Sequence, residues 1–323
     1  ALPVERPSTC TYANVEAIRE MVAEAGGPEV ADMIQAIGLD NVKSIASVTG
    51  LEGEGFVSRN LLAIDGDPQG IFALAAGEPL TAADLDAIPE DSTFAAAVRL
   101  DLEKVLDFAM QVSTQAGEQD VEQGVAELER MLNVKLREDL LVPLGDRWRI
   151  YGSPSESGVV PLGVVAVTSV DDHAALASTH AKLLAFVKAQ LAAEPSFGRR
   201  VNPRIVEFEH AGHAVHFFDV RRDEMWVAPA WCLTEKELIV SLFPQGIKAY
   251  LSRSAETRSL GQSDTVAAEF GSVGGPTALA YVDTKRVFEL IYPAIPMVAQ
   301  AKLGQMARQG IDLDMSFIPS APS

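Results

Sequence analysis

Apolar and polar positions along this chain alternate between helical and strand-like periods. From 12 to 37 the apolar residues recur at helical spacing: Val15, Ile18, Met21 and Val22, then Val30, Met33, Ile34 and Ile37. Gly26-Gly27-Pro28 interrupts that run, so two helices or a sharp kink are expected, and Gly38 supplies the stop. Apolar runs at 42–49, 56–64 and 71–75, separated by Gly-rich turns, predict an antiparallel meander. Thr81-Ala82-Ala83-Asp84 opens a short helix. A strand at 93–100 then runs straight into a helix at 102–112, and a second helix follows at 121–132. Strands are expected at 147–151 and 162–168, and Asp171-Asp172 caps the next long helix. Four more strands (204–209, 214–220, 225–233, 237–243), a helix at 245–252 and a last strand and helix from 276 complete the pattern.

One stretch occurs twice. Leu100-Asp101-Leu102-Glu103-Lys104-Val105-Leu106-Asp107-Phe108 is matched by Val282-Asp283-Thr284-Lys285-Arg286-Val287-Phe288-Glu289-Leu290, and from Asp101 to Asp283 is 182 positions. Gly38-Leu39-Asp40, Asn133-Val134-Lys135 and Gly310-Ile311-Asp312 form a second echo, each after a helical run. Short turns join the strands and no GxGxxG follows one, which favours α+β over a doubly wound parallel fold. The expected architecture is repeated units of mainly antiparallel sheet packed on long helices. Its divisions are a partial unit at 1–88, a complete unit at 89–275 and the start of a further unit at 276–323.

The segments Ile88-Pro89-Glu90-Asp91-Ser92, Leu100-Asp101-Leu102-Glu103-Lys104, Asp139-Leu140-Leu141-Val142-Pro143-Leu144-Gly145-Asp146-Arg147 and Ser259-Leu260-Gly261-Gln262-Ser263, with the Trp-containing strands, carry a resemblance. Over roughly residues 30–320 the chain resembles a domain-of-unknown-function family of bacterial exported proteins. The resemblance implies a repeated α+β build and export to the periplasm or cell envelope. It implies no activity, and it carries over no functional residue. The first residues, Ala1-Leu2-Pro3-Val4, have no signal-peptide pattern, so export expects Ala1 to be a processed or trimmed start.

Composition narrows the partners. Hydrophobic residues make up 48% and charged residues 22%, an ordinary globular balance. A formal net charge of −19 repels phosphate backbones, so nucleic acid is not an expected partner. The longest near-apolar stretch, 159–167, is far short of a membrane span, and no transmembrane segment is expected. Cys10 and Cys232 could pair in an oxidising compartment or remain two thiols.

Candidate chemistry is sparse. His210, His213 and His216 form the densest ligand cluster and could hold zinc if a hairpin turning at Ala211-Gly212 brought them together, with His210 near His216 across the strands. Asp65-Gly66-Asp67-Pro68-Gln69-Gly70 matches half of a calcium loop, but Ala76 stands where the chelating Glu belongs. Residues 271–276 are Gly-rich without a phosphate-loop ending, and Ser153, Ser155 and Ser157 lack the nucleophile elbow. His173 and His180 share a helix face, and Trp226 and Trp231 are set to opposite sides of a strand. The resulting expectation is a non-enzymatic exported envelope scaffold or binding module, with a protein partner or self-association and no cofactor. The alternatives are a metal-dependent hydrolase centred on His210, His213 and His216, and a small-ligand carrier.

Overall fold

A computed structural model describes residues 2–291 apart from residues 3, 54, 75–76, 116–119, 158–162, 194–202, 220–226, 255, 265, 268–269 and 271–275. It has the α+β class read from the pattern, with antiparallel sheets and helices. The chain divides into two compact units, each built from separate stretches of sequence. The first comprises residues up to 79, 99–146 and 174–186; the second comprises 80–98, 147–173 and 187 onward. The loop 271–275, Trp226 and the continuation of the last helix expected beyond Ile291 lie outside the described residues.

In the first unit, β1 (Arg6–Asn14), β2 (Val42–Glu52) and β3 (Gly55–Ile64) form an antiparallel sheet in the order β1-β2-β3. The helix expected from Tyr12 starts three residues later, as α1 (Val15–Ala36), and the residues before it form β1 instead. Asn14 ends the strand and caps the helix, its side chain accepting from the Ala17 amide at 3.1 Å. The expected break is present: Gly27 leaves helical geometry at φ 74°. Gly38 then turns the chain in the left-handed region at φ 79°. The expected third strand is instead a one-turn helix, α2 (Ile71–Leu74), started by the Gln69 and Gly70 carbonyls, which accept from Phe72 and Ala73. Also in this unit are α3 (Leu102–Gln115) and α4 (Asp120–Leu132). Asn133, at φ 51°, ends α4, and a short π-helix follows at Leu136–Leu141.

An eight-stranded sheet occupies the second unit. Its strands are β4 (Phe94–Arg99), β5 (Leu144–Gly152), β6 (Val164–Val170), β7 (Arg204–His210), β8 (His213–Asp219), β9 (Ala230–Leu233), β10 (Glu237–Ser241) and β11 (Ala278–Val282). Their order is β11-β4-β5-β6-β10-β9-β8-β7. The two copies of the twice-occurring stretch lead out of its first two strands, β4 and β11, into the helices that follow, and these strands pair antiparallel with Ala97 opposite Leu279.

The core lies on the sheet face that carries Tyr151, Val165, Val167, Val215, Cys232 and Ile239. Leu85, Ile88, Ile247 and Leu260 close over it, and all four are fully buried. Ile247 belongs to α7 (Pro244–Leu251), which begins with Pro and packs closely on the strands. At Gly246 an added Cβ would stand 2.4 Å from the Ser241 hydroxyl oxygen. The remaining helices are α5 (Pro154–Ser157), α6 (His173–Ala193) and α8 (Thr284–Ile291).

Candidate functional site

The β7–β8 hairpin turns at Ala211-Gly212, both at positive φ, as the spacing of the histidines suggested. Its register sets His210 opposite His213 and Glu207 opposite His216. Successive side chains on a strand alternate sides, so His213 and His216, three apart, face opposite ways. His210 and His213 share the core-side face with Phe208, Val215 and Phe217. The expected approach of His210 to His216 is therefore replaced by the His210–His213 pair, and the three imidazoles do not converge. Among the described residues no group of three or more His, Cys, Asp or Glu is arranged to hold a metal ion.

Each histidine has its own surroundings. His210 Nε2 lies 2.8 Å from the Ser252 hydroxyl, a Ser–His contact at the C-cap of α7. A helix C-terminus carries partial negative charge, which disfavours a serine alkoxide there, so this contact is poorly suited to nucleophilic chemistry. His213 lines an open depression of about 640 Å³ with His173, Thr234, Glu235, Lys236, Glu237, Tyr250 and Leu251. Glu237 also holds Arg149 at 3.0 Å and accepts from the Tyr250 hydroxyl. Arg149 is almost fully buried, and its Nε has no partner among the described residues.

His216 is on the other side of the hairpin. Its ring stacks on Trp231 with centroids 5.5 Å apart, and its Nδ1 lies 3.6 Å from Glu207. Burial lowers its pKa below the ordinary 6.5; Glu207 opposes this and Lys188 reinforces it. With the folded pKa depressed, the unfolded chain takes up the proton first as pH falls. Stability is therefore expected to drop as pH decreases from about 6.5, and to level off below the folded value. In His216→Phe, which keeps an aromatic ring against Trp231, that part of the drop should vanish. Urea midpoints measured across about pH 5 to 7.5 check this, and equal slopes for the two proteins would refute it.

The second unit also holds a buried polar cluster that no sequence motif announced. Arg253 bonds Glu156 through Nε, the Ala87 carbonyl at 2.6 Å and the Tyr151 hydroxyl. Its guanidinium lies 4.4 Å from the Tyr250 ring centroid and 5.2 Å from that of Tyr151. Tyr151 donates to Glu156 at 2.8 Å, and burial raises the pKa of its phenol well above the ordinary range. Saturated in this way, the cluster works as a clasp rather than a reactive centre.

The other candidates are held by ordinary contacts. Ser153 is buried and donates to Asp91 at 2.6 Å, and Ser155 takes part in the same cluster through its amide. Asp65 is ion-paired with Lys43 at 3.1 Å, and Asn41 donates to the Asp67 carbonyl at 2.9 Å. His173 is exposed and His180 half-buried on α6. Cys10 is an exposed thiol and Cys232 a buried one; neither is in a disulfide. No helix among the described residues is long and apolar enough to cross a membrane.

Three local features recur at matching places. Asp101 caps α3 through the Glu103 and Lys104 amides, and Asp283 caps α8 through the Arg286 amide, as Asn14 caps α1. Gly38 and Asn133 both take the left-handed turn after a helix. The chain order β1, α1, β2, β3 is matched by β4, α3, α4, β5, β6, and in both runs the strands are neighbours in the order of the chain. No family model, curated protein or solved structure matches the chain.

Proposed function

We propose that this chain is a non-enzymatic, exported scaffold or binding module of the bacterial envelope, built from recurring strand–helix–strand–strand units. The observation that carries the reading is the threefold recurrence of the capped strand-to-helix junction at Asn14, Asp101 and Asp283. Repetition of one unit extends a surface without creating a reactive centre. The first unit supports a binding role. Tyr12 and Phe56 are 67% and 73% exposed, and Met21, Met33, Ile45 and Leu61 also stand exposed. In the sheet register Ile45 and Phe56 project from one side and Tyr12 and Leu61 from the other, so apolar contacts are offered in both directions.

Fractionation of bacteria producing the full-length protein tests both halves of this reading. The protein is expected in the envelope fraction, and a Phe56→Glu, Leu61→Glu double variant is expected to leave it for the soluble fraction with its circular dichroism unchanged. A cytosolic wild-type protein would end the envelope assignment. Undiminished envelope retention of the variant would end the assignment of binding to this surface.

A further inference from the structure

We infer that two copies of this chain join edge to edge through β1, in antiparallel register centred on Cys10. The inference rests on the recurring-unit reading above and names the partner as a second copy. Counting back four residues from the capping positions Asn14, Asp101 and Asp283 gives Cys10, Ala97 and Leu279. Ala97 and Leu279 are the residues that face each other where β4 pairs with β11. A local two-fold axis therefore passes between equivalent residues of two equivalent strands. β4 has β11 on one side and β5, which follows its helices, on the other. β1 has β2, the strand after its helix, on the corresponding side, and among the described residues nothing pairs with its remaining edge. That free edge is the one β11 covers on β4. Since β4 and β11 already satisfy each other, the partner equivalent to β1 is the β1 of another molecule.

The strand's chemistry agrees with this pairing. An open edge presents unpaired amide and carbonyl groups, and monomers usually blunt it with charges, proline or a bulge. Here Arg6, Pro7 and the register shift between Pro7 and Thr9 blunt only the first end. Thr9-Cys10-Thr11-Tyr12-Ala13-Asn14 carries no charge, and all but Ala13 of these residues are exposed. Pairing about Cys10 sets Thr9 against Thr11 of the partner subunit, both β-branched, and brings the two Cys10 side chains together on one side of the joined sheet.

Cys10 reports the pairing. With oxidised glutathione as the oxidant, one Cys10 thiolate attacks the glutathione disulfide and releases one glutathione thiol. The second Cys10 thiolate then attacks the Cys10 sulfur of that mixed disulfide and releases the other. Two protein thiols are oxidised and one small disulfide is reduced to two thiols. Cys232 does not compete, because it is buried and burial pushes its thiol up to about 11.

The test uses the purified chain. Under reducing conditions, light scattering on a sizing column is expected to give twice the 34.5 kDa chain mass. Oxidised glutathione is expected to lock that species covalently. Cys10→Ser should keep the non-covalent dimer and lose the lock, and Cys10→Lys, with two like charges on the axis, should run as a folded monomer. In the Cys10→Ser background, mixed Thr9→Cys and Thr11→Cys chains should cross-link to each other and neither should cross-link to itself. A wild-type monomer that glutathione leaves uncross-linked overturns the dimer. A self-linking Thr9→Cys chain means pairing in another register and overturns the equivalence of Cys10 with Ala97 and Leu279. Neither failure touches the envelope assignment, which the fractionation decides.

Discussion

Replacing Arg253 by methionine is expected to destabilise the second unit by about 3–5 kcal/mol, the range for removing one partner of a buried ion pair. The Glu156 side chain is only 6% exposed and would keep its charge with the Tyr151 hydroxyl as its remaining donor among the described residues. The Ala87 carbonyl would lose its donor, and the Tyr151 and Tyr250 rings would lose the cation beside them. Methionine fills much of the same volume, so the loss reports the missing charge and hydrogen bonds more than a cavity. The double variant Arg253→Met, Glu156→Leu should recover most of the stability, because an apolar pair leaves no uncompensated charge. Urea unfolding followed by tryptophan fluorescence measures both. A single variant within about 1 kcal/mol of wild type would mean that the clasp contributes no more than an exposed pair does.

Gly38→Ala is expected to destabilise the first unit by about 2–5 kcal/mol. Left-handed backbone at a residue with a Cβ costs roughly 1–2 kcal/mol, and forced overpacking adds about 1–3 kcal/mol. The overpacking here is against backbone, which has no side chain to swing away. A Cβ on Gly38 would stand 2.2 Å from the Gln69 carbonyl oxygen and 2.9 Å from the Gly70 Cα. The approach is reciprocal, since a Cβ on Gly70 would stand 2.3 Å from the Ile37 carbonyl carbon. Asn133 makes the same left-handed turn with a side chain in place. Asn133→Ala should therefore cost no more than about 1–2 kcal/mol, and the difference between the two variants isolates the close approach. Equal losses would assign the whole effect of Gly38 to its φ angle.

Most of the fold was legible where hydrophobic period and end signals agreed. The β4–α3 junction has both, with Asp101 closing one period and opening the other. β1 had neither. Its residues Ser8, Thr9, Thr11 and Asn14 are polar and it has no apolar face, so its strand state comes from pairing with β2 rather than from its own pattern. Ile71–Leu74 failed the other way: four apolar residues read as a strand, but the Gln69 and Gly70 carbonyls start a helical turn beneath them. The histidine hairpin was found, but its two-residue turn sets His213 opposite His210, and His216, three residues further along β8, falls on the other face. The clasp and the Arg149–Glu237 pair were hidden by parity on β5. Arg149 and Tyr151 share the inward face, while Ile150 next to them is exposed. Hydrophobicity alone would have turned that strand over.

The pairing of β4 with β11 also sets an order of events in synthesis. Arg99 and Ala278 lie 179 positions apart, so the outer edge of β4 stays open until nearly the whole described chain has been made. At about 5–20 residues per second that interval is roughly 10–40 s. Closure of so long a loop is slow as well as late, because its entropy must be lost before the strand contacts form. The β5, β6 and β10 ladders can assemble earlier from nearer sequence, which leaves β4 as the last edge to be covered. For a nascent chain this is the interval of greatest exposure to aggregation, and a folding helper acting on it would find its target in Phe94–Arg99.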